Sequence, residues 1–242
     1  MISIIIPTMW KAKELERMLP LVLEHNLIGE VIIIDNDTKS RSFELPKNKK
    51  LKILVQKKNI FCNPAWNLGA DEAKYDKLCL MSDDIIFDIN VFSLVYGMVT
   101  GDLGVIGPNG DGIKPFAVNS PLMKLSPIKE MNNWRGFGTL MFINKSNYLK
   151  IPEKLLIWWG DLWLYDYMAI QKKQNFTIDK FCVNTEMGTT AYTMNDIIAK
   201  ENSICMPLFD KLYAEYTKAG SFLSDPIATK IYEIVTQNAH TR

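Results

Sequence analysis

Residues 2–37, ISIIIPTMWKAKELERMLPLVLEHNLIGEVIIIDND, decide the fold class of this chain. They begin with the β-branched run Ile2–Ile6, which has the length of a buried strand and which we expect to end at Pro7. A second apolar run, Val31–Ile34, closes the segment. Between the two runs, apolar residues recur at helical spacing: Leu15, Met18, Leu19 and Val22. A strand, a helix and a second non-alternating strand predict parallel strands with helices on both faces of the sheet.

The same alternation of strands and helices continues along the chain. Asn63 and Pro64 indicate the start of a second helix, because asparagine caps helices and proline suits the first helical position. Another helix is expected after Asp161, and residues 113–133 are expected to form a long irregular loop. Further strands are predicted at Lys52–Val55, Lys77–Met81, Gly104–Gly107, Thr139–Asn144 and Phe176–Val183.

Charge and composition exclude several classes of function. A net charge of +1 over 242 residues predicts no broad attraction to nucleic acid or to an anionic membrane. No apolar run approaches the roughly 20 residues of a transmembrane helix, and no basic region precedes Ile2–Ile6 as it would in a signal peptide. The 4 cysteines form no CxxC pair and are expected to be free thiols in a reducing compartment. These features favour a soluble, cytoplasmic protein.

Polar and acidic residues follow three of the predicted strands. Pro7 and Thr8 follow the first, Asp35–Asp37 the second, and Ser82–Asp84 the strand at Lys77–Met81. Ligands of open parallel sheets bind beyond the carboxyl ends of the strands, so these residues are expected to meet at one edge. Adjacent carboxylates repel each other unless a cation neutralises them, and a divalent cation also bridges phosphate oxygens. We interpret this edge as a nucleotide and metal site; the alternative for the acidic pair is a solvated turn.

Four segments, in this order, resemble the large inverting (family 2-like) group of GT-A glycosyltransferases: SIIIPT (3–8), VIIIDND (31–37), NLGA (67–70) and LMSDDI (80–85). The resemblance implies a GT-A, Rossmann-like α/β fold with a mostly parallel central sheet flanked by helices. It also implies transfer of a sugar from a nucleotide-sugar donor, with UDP the expected nucleotide, to a hydroxyl acceptor with inversion. Mn²⁺ or Mg²⁺ is the implied cofactor, and the implied acceptor is a glycan, a lipid-linked sugar or a small molecule.

The resemblance also implies roles for single residues. Those assigned to the donor are Pro7 and Thr8 at the nucleotide, Asp35 and Asn36 near the base and ribose, Asn67 near the base or diphosphate, Asp83 at the ribose or sugar, and Asp84 as metal ligand. Two departures from the family pattern reduce the set. Met81 replaces the first Asp of the metal motif, and Trp66 replaces an Arg, leaving either a base-stacking role or a core role for this tryptophan.

The segment WWGDLW (158–163) resembles the family's Glu-Asp motif, with Gly160 in place of Glu. Asp161 keeps the carboxylate that takes the proton of the acceptor hydroxyl, and it is also suited to cap a helix; the two roles are compatible. Arg135 is a candidate contact for phosphate or sugar, with a surface salt bridge as the alternative. Neither of the 2 histidines fits the metal-ligating His of many relatives, and Glu186 is the nearest match in frame.

We interpret residues 1–242 as a single catalytic domain, with a nucleotide-binding half (1–100), an acceptor half (101–194) and a helical C-terminal tail (195–242). Two other functions remain open. Nucleotidyl transfer is disfavoured because residues 8–11, after the first strand, contain no glycine to cradle a triphosphate. A degenerate domain that binds sugars or nucleotides without catalysis would explain the departures from the family pattern.

Overall fold

A computed structural model describes residues 1–113, 122–128, 137–153, 155–185 and 194–203. Two of the predicted site residues, Arg135 and Glu186, lie outside these ranges, as does most of the predicted loop at 113–133. The strands are β1 (Ile2–Thr8), β2 (Ile28–Asp35), β3 (Leu51–Val55), β4 (Lys77–Met81), β5 (Ile86–Phe87), β6 (Ile106–Pro108), β7 (Lys124–Pro127), β8 (Leu140–Asn144), β9 (Phe176–Asp179) and β10 (Val183–Asn184). The helices are α1 (Glu14–Glu24), α2 (Cys62–Glu72), α3 (Val91–Val95) and α4 (Gly160–Ile170), and residues 195–203 are also helical.

The described strands form an eight-stranded sheet in the order β3-β2-β1-β4-β8-β6-β9-β7, beside a small β10-β5 sheet. Strands β3, β2, β1 and β4 run parallel, β8 runs antiparallel to both of its neighbours, β6 and β9 are parallel, and β7 is antiparallel to β9. The sequence prediction of an α/β fold with a mostly parallel central sheet is confirmed. The parallel half places the carboxyl ends of β1, β2 and β4 at one edge.

Helices cover both faces of the sheet because β1 and β2 are apolar on both sides. Ile4 and Ile6 of β1 belong to the hydrophobic cluster that includes α1. Ile5 faces the opposite cluster, which includes α2 and α4. Gly69 of α2 allows close packing there, since a Cβ atom at this position would lie only 2.2 Å from Ile5. This packing holds α2 close against β1.

Several predicted boundaries are wrong. Strand β1 does not end at Pro7 but continues to Thr8, and it pairs with β4 only as far as Ile5, so the proline has a partner strand on one side. The predicted loop contains β7, which pairs with β9. The predicted strand at Phe176–Val183 is interrupted near Lys180, whose φ is 56°. No described helix is long and apolar enough to cross a membrane.

The start of α2 also differs from the prediction. The helix begins at Cys62, two residues earlier than expected, and Phe61 occupies the N-cap position with a φ of 68°. Asn63 therefore lies inside the first turn and does not cap the helix. Its Nδ2 donates instead to the carbonyl of Trp158, at 2.9 Å, across the gap to the segment before α4.

Candidate active site

A cleft of about 150 Å³ lies beyond the carboxyl ends of β1, β2 and β4. The structure brings five of the predicted site residues to its wall: Pro7, Thr8, Asn36, Asp83 and Asp84. The backbone N–H of Asn36 donates to the carbonyl of Thr8 at 2.9 Å, which ties the ends of β1 and β2 together. The Asn36 Oδ1 accepts from the N–H of Ile60 at 3.1 Å and so fixes the loop before α2.

Thr8 and Asp83 form the floor of the cleft. The Thr8 hydroxyl accepts from the backbone N–H of Trp10 at 2.8 Å and donates to Asp83 Oδ2 at 2.6 Å. Burial, with a smaller contribution from the charge of Asp84, raises the pKa of Asp83 to about 6 against the lowering effect of the Thr8 hydrogen bond. Burial also raises the pKa of Asp84, although the Thr185 hydroxyl donates to its Oδ2 at 3.2 Å. The two carboxylates therefore lie where a negative charge is poorly solvated.

Neither carboxylate takes part in the two ion pairs found in the described ranges, Lys52–Glu72 and Lys150–Asp71. Lys11 lines the same cleft but forms no ion pair with them there. The donor set suits a divalent cation, since carboxylate oxygens are the ligands that Mg²⁺ and Mn²⁺ prefer. Within the described part of the chain, no group of three His, Cys, Asp or Glu residues could hold a metal alone. A cation at Asp83 and Asp84 would complete its shell with water and phosphate oxygens, as Mg²⁺ commonly does.

Asp35 does not reach the cleft. Its side chain is fully buried, and its Oδ1 accepts from the indole N–H of Trp10 at 2.7 Å and from the backbone N–H of Asp37 at 3.1 Å. Trp10 is only 3% exposed and packs edge-on against Phe43. No local pattern in the sequence predicts this contact. Trp10 occupies Oδ1 of the carboxylate assigned to the donor base, while Oδ2 is buried and has no hydrogen-bond partner in the described structure.

Asn67 is also placed away from the cleft. Its Oδ1 accepts from the backbone N–H of Ile151 at 2.9 Å and from the Tyr148 hydroxyl at 3.0 Å, and its Nδ2 donates to the carbonyl of Ile151 at 2.8 Å. The amide thus joins α2 to the segment after β8. In the described structure, Asn67 therefore holds these two segments together and does not line the cleft.

Asp161 lies in the first turn of α4 and is not among the residues that line the cleft. It is linked through Gly138 to Ser82, the residue before the acidic pair. Its Oδ2 accepts from the backbone N–H of Gly138 at 3.0 Å, and the carbonyl of Gly138 accepts from the Ser82 hydroxyl at 3.1 Å. The other oxygen, Oδ1, accepts from the N–H of Leu162 at 3.0 Å. Trp159 occupies the N-cap position, so the prediction of a capping role for Asp161 is wrong.

The electrostatics of Asp161 suit a proton acceptor. Burial raises the pKa of its carboxyl, while the hydrogen bonds from Leu162 and Gly138 lower it. Cys62 lines the cleft and is close enough to both Asp161 and Asp83 to be affected by their charges. Burial raises the pKa of the Cys62 thiol, and the charges of Asp83 and Asp161 raise it further.

Comparison with known proteins identifies the family. The family model described as Glycosyl transferase family 2 matches residues 3–172. The chain belongs to this family. A comparison with curated protein sequences gives no significant match.

Solved structures confirm the GT-A fold of this family 2 chain. The fold is similar to the crystal structure of GalNAc-T7 with UDP, GalNAc and Mn²⁺, with a TM-score of 0.60 and 12% identity, over 97% of this chain and 57% of that one. It is also similar to S. aureus TarS 1–349, with a TM-score of 0.60 and 11% identity, over 97% and 70% of the two chains. The TarS complex with UDP-GlcNAc gives a TM-score of 0.59 and 12% identity, over 100% and 74%. The chain therefore spans little more than half of the GalNAc-T7 structure, and the likeness concerns the fold.

The departures from the family 2 pattern have structural reasons. Met81 is fully buried in the hydrophobic core, and Trp66 is nearly so, which excludes base stacking for Trp66 in this conformation. Gly160 replaces Glu where space is lacking: a Cβ atom there would lie 2.1 Å from Asn63 Oδ1. The sequence alone does not reveal this contact between the first turns of α2 and α4.

Strained backbone surrounds the cleft of this family 2 chain. Trp10, Phe61 and Trp159 have φ angles of 60°, 68° and 66°, a region that bulky side chains rarely adopt. Each lies on a segment that contributes to the cleft, after β1, before α2 and before α4 respectively. Such strain persists only where surrounding contacts enforce it, and it clusters at functional sites.

Proposed function

We propose that this family 2 domain transfers a sugar from a nucleotide-sugar donor, a UDP-sugar, to a hydroxyl acceptor with inversion and with the help of Mn²⁺ or Mg²⁺. The observation that carries the proposal is the pair Asp83–Asp84. The two carboxylates are partly buried, form no ion pair in the described ranges and line a cleft at the carboxyl ends of parallel strands. A cation with a diphosphate would remove the cost of placing them there.

The donor side consists of Asp83, Asp84 and Thr8. Asp84 would ligate the cation, and Asp83, oriented by the Thr8 hydroxyl, would contact the ribose or sugar. When bound, the cation supplies positive charge that stabilises the departing nucleoside diphosphate. The UDP and Mn²⁺ named for the GalNAc-T7 structure, and the UDP-GlcNAc named for TarS, support this choice of donor.

Asp161 would be the general base. An acceptor hydroxyl must lose its proton as it attacks the anomeric carbon from the face opposite the diphosphate, and a single displacement of this kind inverts the anomeric centre. A carboxylate whose pKa is raised by burial is a better proton acceptor near neutral pH than an exposed one. Each oxygen of Asp161 accepts one backbone N–H and keeps a further lone pair for the acceptor.

Trp158 favours a sugar as part of the acceptor. Its indole is 45% exposed, and the preceding residue, Ile157, lines the cleft. An exposed aromatic ring presents an apolar face on which a sugar ring can stack. A glycan or a lipid-linked sugar offers both a sugar ring for this stacking and a hydroxyl group that can receive the transferred sugar.

A binding domain without catalysis is the second candidate, and Met81 and Gly160 favour it. Both positions lack a carboxylate of the family motif, and both are fixed by packing. This candidate predicts donor binding in the same cleft without turnover. The observation that separates the two is therefore the release of nucleoside diphosphate.

Calorimetry with a panel of UDP-, GDP- and TDP-sugars, with and without Mn²⁺, tests the donor assignment. We expect binding of one UDP-sugar, strengthened by Mn²⁺ by at least about tenfold, or roughly 1.4 kcal/mol. The same panel is then followed for nucleoside diphosphate release, with sugar acceptors present. Absence of binding across the panel, or binding that does not respond to Mn²⁺ or Mg²⁺, would contradict the proposal; release of pyrophosphate from a nucleoside triphosphate would indicate nucleotidyl transfer instead.

A further inference from the structure

The helical segment at residues 195–203 contacts residues 156–158, which precede Asp161 in the chain, through a buried carboxylate. Glu201 is only 3% exposed, and its carboxylate accepts from three consecutive backbone N–H groups. Leu156 donates to Oε1, Ile157 donates at 3.1 Å, and Trp158 donates to Oε2 at 2.9 Å. Consecutive N–H groups that converge on one anion form a nest, and their hydrogen bonds offset the cost of burying the charge.

The opposite side of the same segment is held by Asn63. The backbone N–H of Asn63 donates to the carbonyl of Leu156 at 2.9 Å, and its Nδ2 donates to the carbonyl of Trp158 at 2.9 Å. Both the N–H and the carbonyl of Trp158 are thus fixed by buried side chains, although its indole is exposed. The Trp159 indole N–H adds a contact to Asn202 Oδ1 at 3.1 Å.

The clamped segment leads directly into the proposed catalytic group. Ile157 lines the cleft, Trp159 takes the left-handed conformation that starts α4, and Asp161 follows two residues later. Without the Glu201 carboxylate, three N–H groups would lose their acceptor, and the strained turn at Trp159 would lose one of its supports. Displacement of a catalytic group by about 1 Å lowers rates by about 10²-fold.

We infer that Glu201 is a positioning residue for sugar transfer, which acts by fixing residues 156–158 and, through them, the base Asp161. Residues 195–203, the described part of the segment predicted as a helical tail, therefore support the active site. The inference rests on the proposed function. It separates the two sides of the cleft, because Glu201 contacts the acceptor side and none of the residues assigned to the donor.

Glu201→Gln keeps the length of the side chain but replaces one acceptor oxygen by an amide NH₂ group. This group cannot accept the hydrogen bonds that the backbone N–H groups donate. Glu201→Asp keeps the charge and shortens the reach by one methylene. Lys200→Gln is the matched control, because Lys200 is the exposed neighbour in the same helical segment. The measurements are kcat for transfer, donor affinity by calorimetry, and hydrogen exchange of residues 156–161.

We expect Glu201→Gln to lower kcat by about 10- to 100-fold, with donor affinity within about threefold of wild type and faster exchange at residues 156–161. Glu201→Asp should be less affected and serves for the same comparison if the Gln variant does not fold. Kinetics and exchange equal to those of Lys200→Gln would overturn the inference, and so would an equal loss of donor affinity, which would indicate general damage. A wild-type protein that turns over no sugar nucleotide would refute the proposed function itself, and the inference with it.

Discussion

Asp84 is the residue on which donor binding is expected to depend most. Asp84→Asn keeps the size of the side chain and an oxygen for the Thr185 hydroxyl, but it removes the charge that the cation requires. We predict that donor affinity in the presence of Mn²⁺ falls by at least about tenfold and that the remaining affinity no longer depends on the metal. Calorimetry with and without Mn²⁺ measures both effects. Asp102→Asn, at an exposed site, is the control, and an unchanged Mn²⁺ dependence in Asp84→Asn would rule out this ligand.

Asp161 is expected to behave differently, because a base acts on the acceptor in the transition state and adds little to donor affinity. Asp161→Asn keeps an oxygen that can accept one of the two backbone hydrogen bonds, so the start of α4 should survive. We predict near-normal binding of donor and metal with transfer reduced by about 10²–10⁴-fold. Donor affinity, thermal stability and transfer rate are measured on one preparation, so that loss of the base can be distinguished from loss of donor binding or of folding. Near-normal transfer by the folded variant would move the search for the base to Asp166.

At the scale of elements, the first turns of α2 and α4 are in close contact through Asn63 and Gly160. Gly160→Ala places a Cβ atom 2.1 Å from Asn63 Oδ1, so either the buried Asn63 side chain or one of the helices must shift. We predict a loss of about 1–3 kcal/mol in the free energy of unfolding, as is usual for overpacking. Gly97→Ala is the matched control because nothing lies within 4 Å of its added Cβ. If denaturant unfolding gives equal stability for the two variants, the contact between Gly160 and Asn63 can accommodate a methyl group and the prediction is wrong.

Helix α4 also contains a buried carboxyl without a described partner. Asp166 is 8% exposed, and neither of its oxygens has a hydrogen bond in the described structure. Burial, and then the charge of Asp161, raises the pKa of Asp166 from 3.8 to about 8. The folded state therefore holds this proton more tightly than the unfolded state does, so its stabilising effect is complete below about pH 4 and is lost as the pH rises through about 8.

Asp166→Asn removes this titration, since an amide does not ionise. We predict that wild-type stability decreases between about pH 4 and about pH 8 and that the variant loses less over the same range. Denaturant unfolding at several pH values measures the difference between the two curves. Parallel curves would show that Asp166 has a cationic or hydrogen-bonding partner in solution and titrates normally.

At the scale of the whole molecule, local patterns in the sequence predict the parallel half of the sheet well. Runs such as Ile2–Ile6 and Val31–Ile34 are buried on both faces, so their apolar character alone marks them as central strands. Strand β7 is not predicted because its residues are only partly buried and form no apolar run. Strands β9 and β10 are predicted as one strand because the turn at Lys180 contains no glycine or proline. The strand ends predict where the cleft lies, because parallel strands deliver their carboxyl ends to one edge.

Contacts between distant segments are what the sequence does not predict. Trp10 bonds to Asp35, Asn67 to Ile151, and Glu201 to residues 156–158, and no local spacing reports any of these pairs. Each contact changes the role of a residue that the motif places at the donor or in a tail. The family pattern names the types of side chain, while the packing of α2, α4 and the 195–203 segment decides which of them face the cleft.

The release of nucleoside diphosphate from a UDP-sugar tests the central claim most directly. The assay compares wild type with Asp84→Asn, each with Mn²⁺, after removal of metal by a chelator, and after Mn²⁺ is restored, with simple sugars and glycosides as acceptors. The proposed function predicts release by the wild type that the chelator abolishes and Mn²⁺ restores, and little release by Asp84→Asn under any condition. Release that ignores the chelator, equal release by Asp84→Asn, or no release from any sugar nucleotide would contradict it.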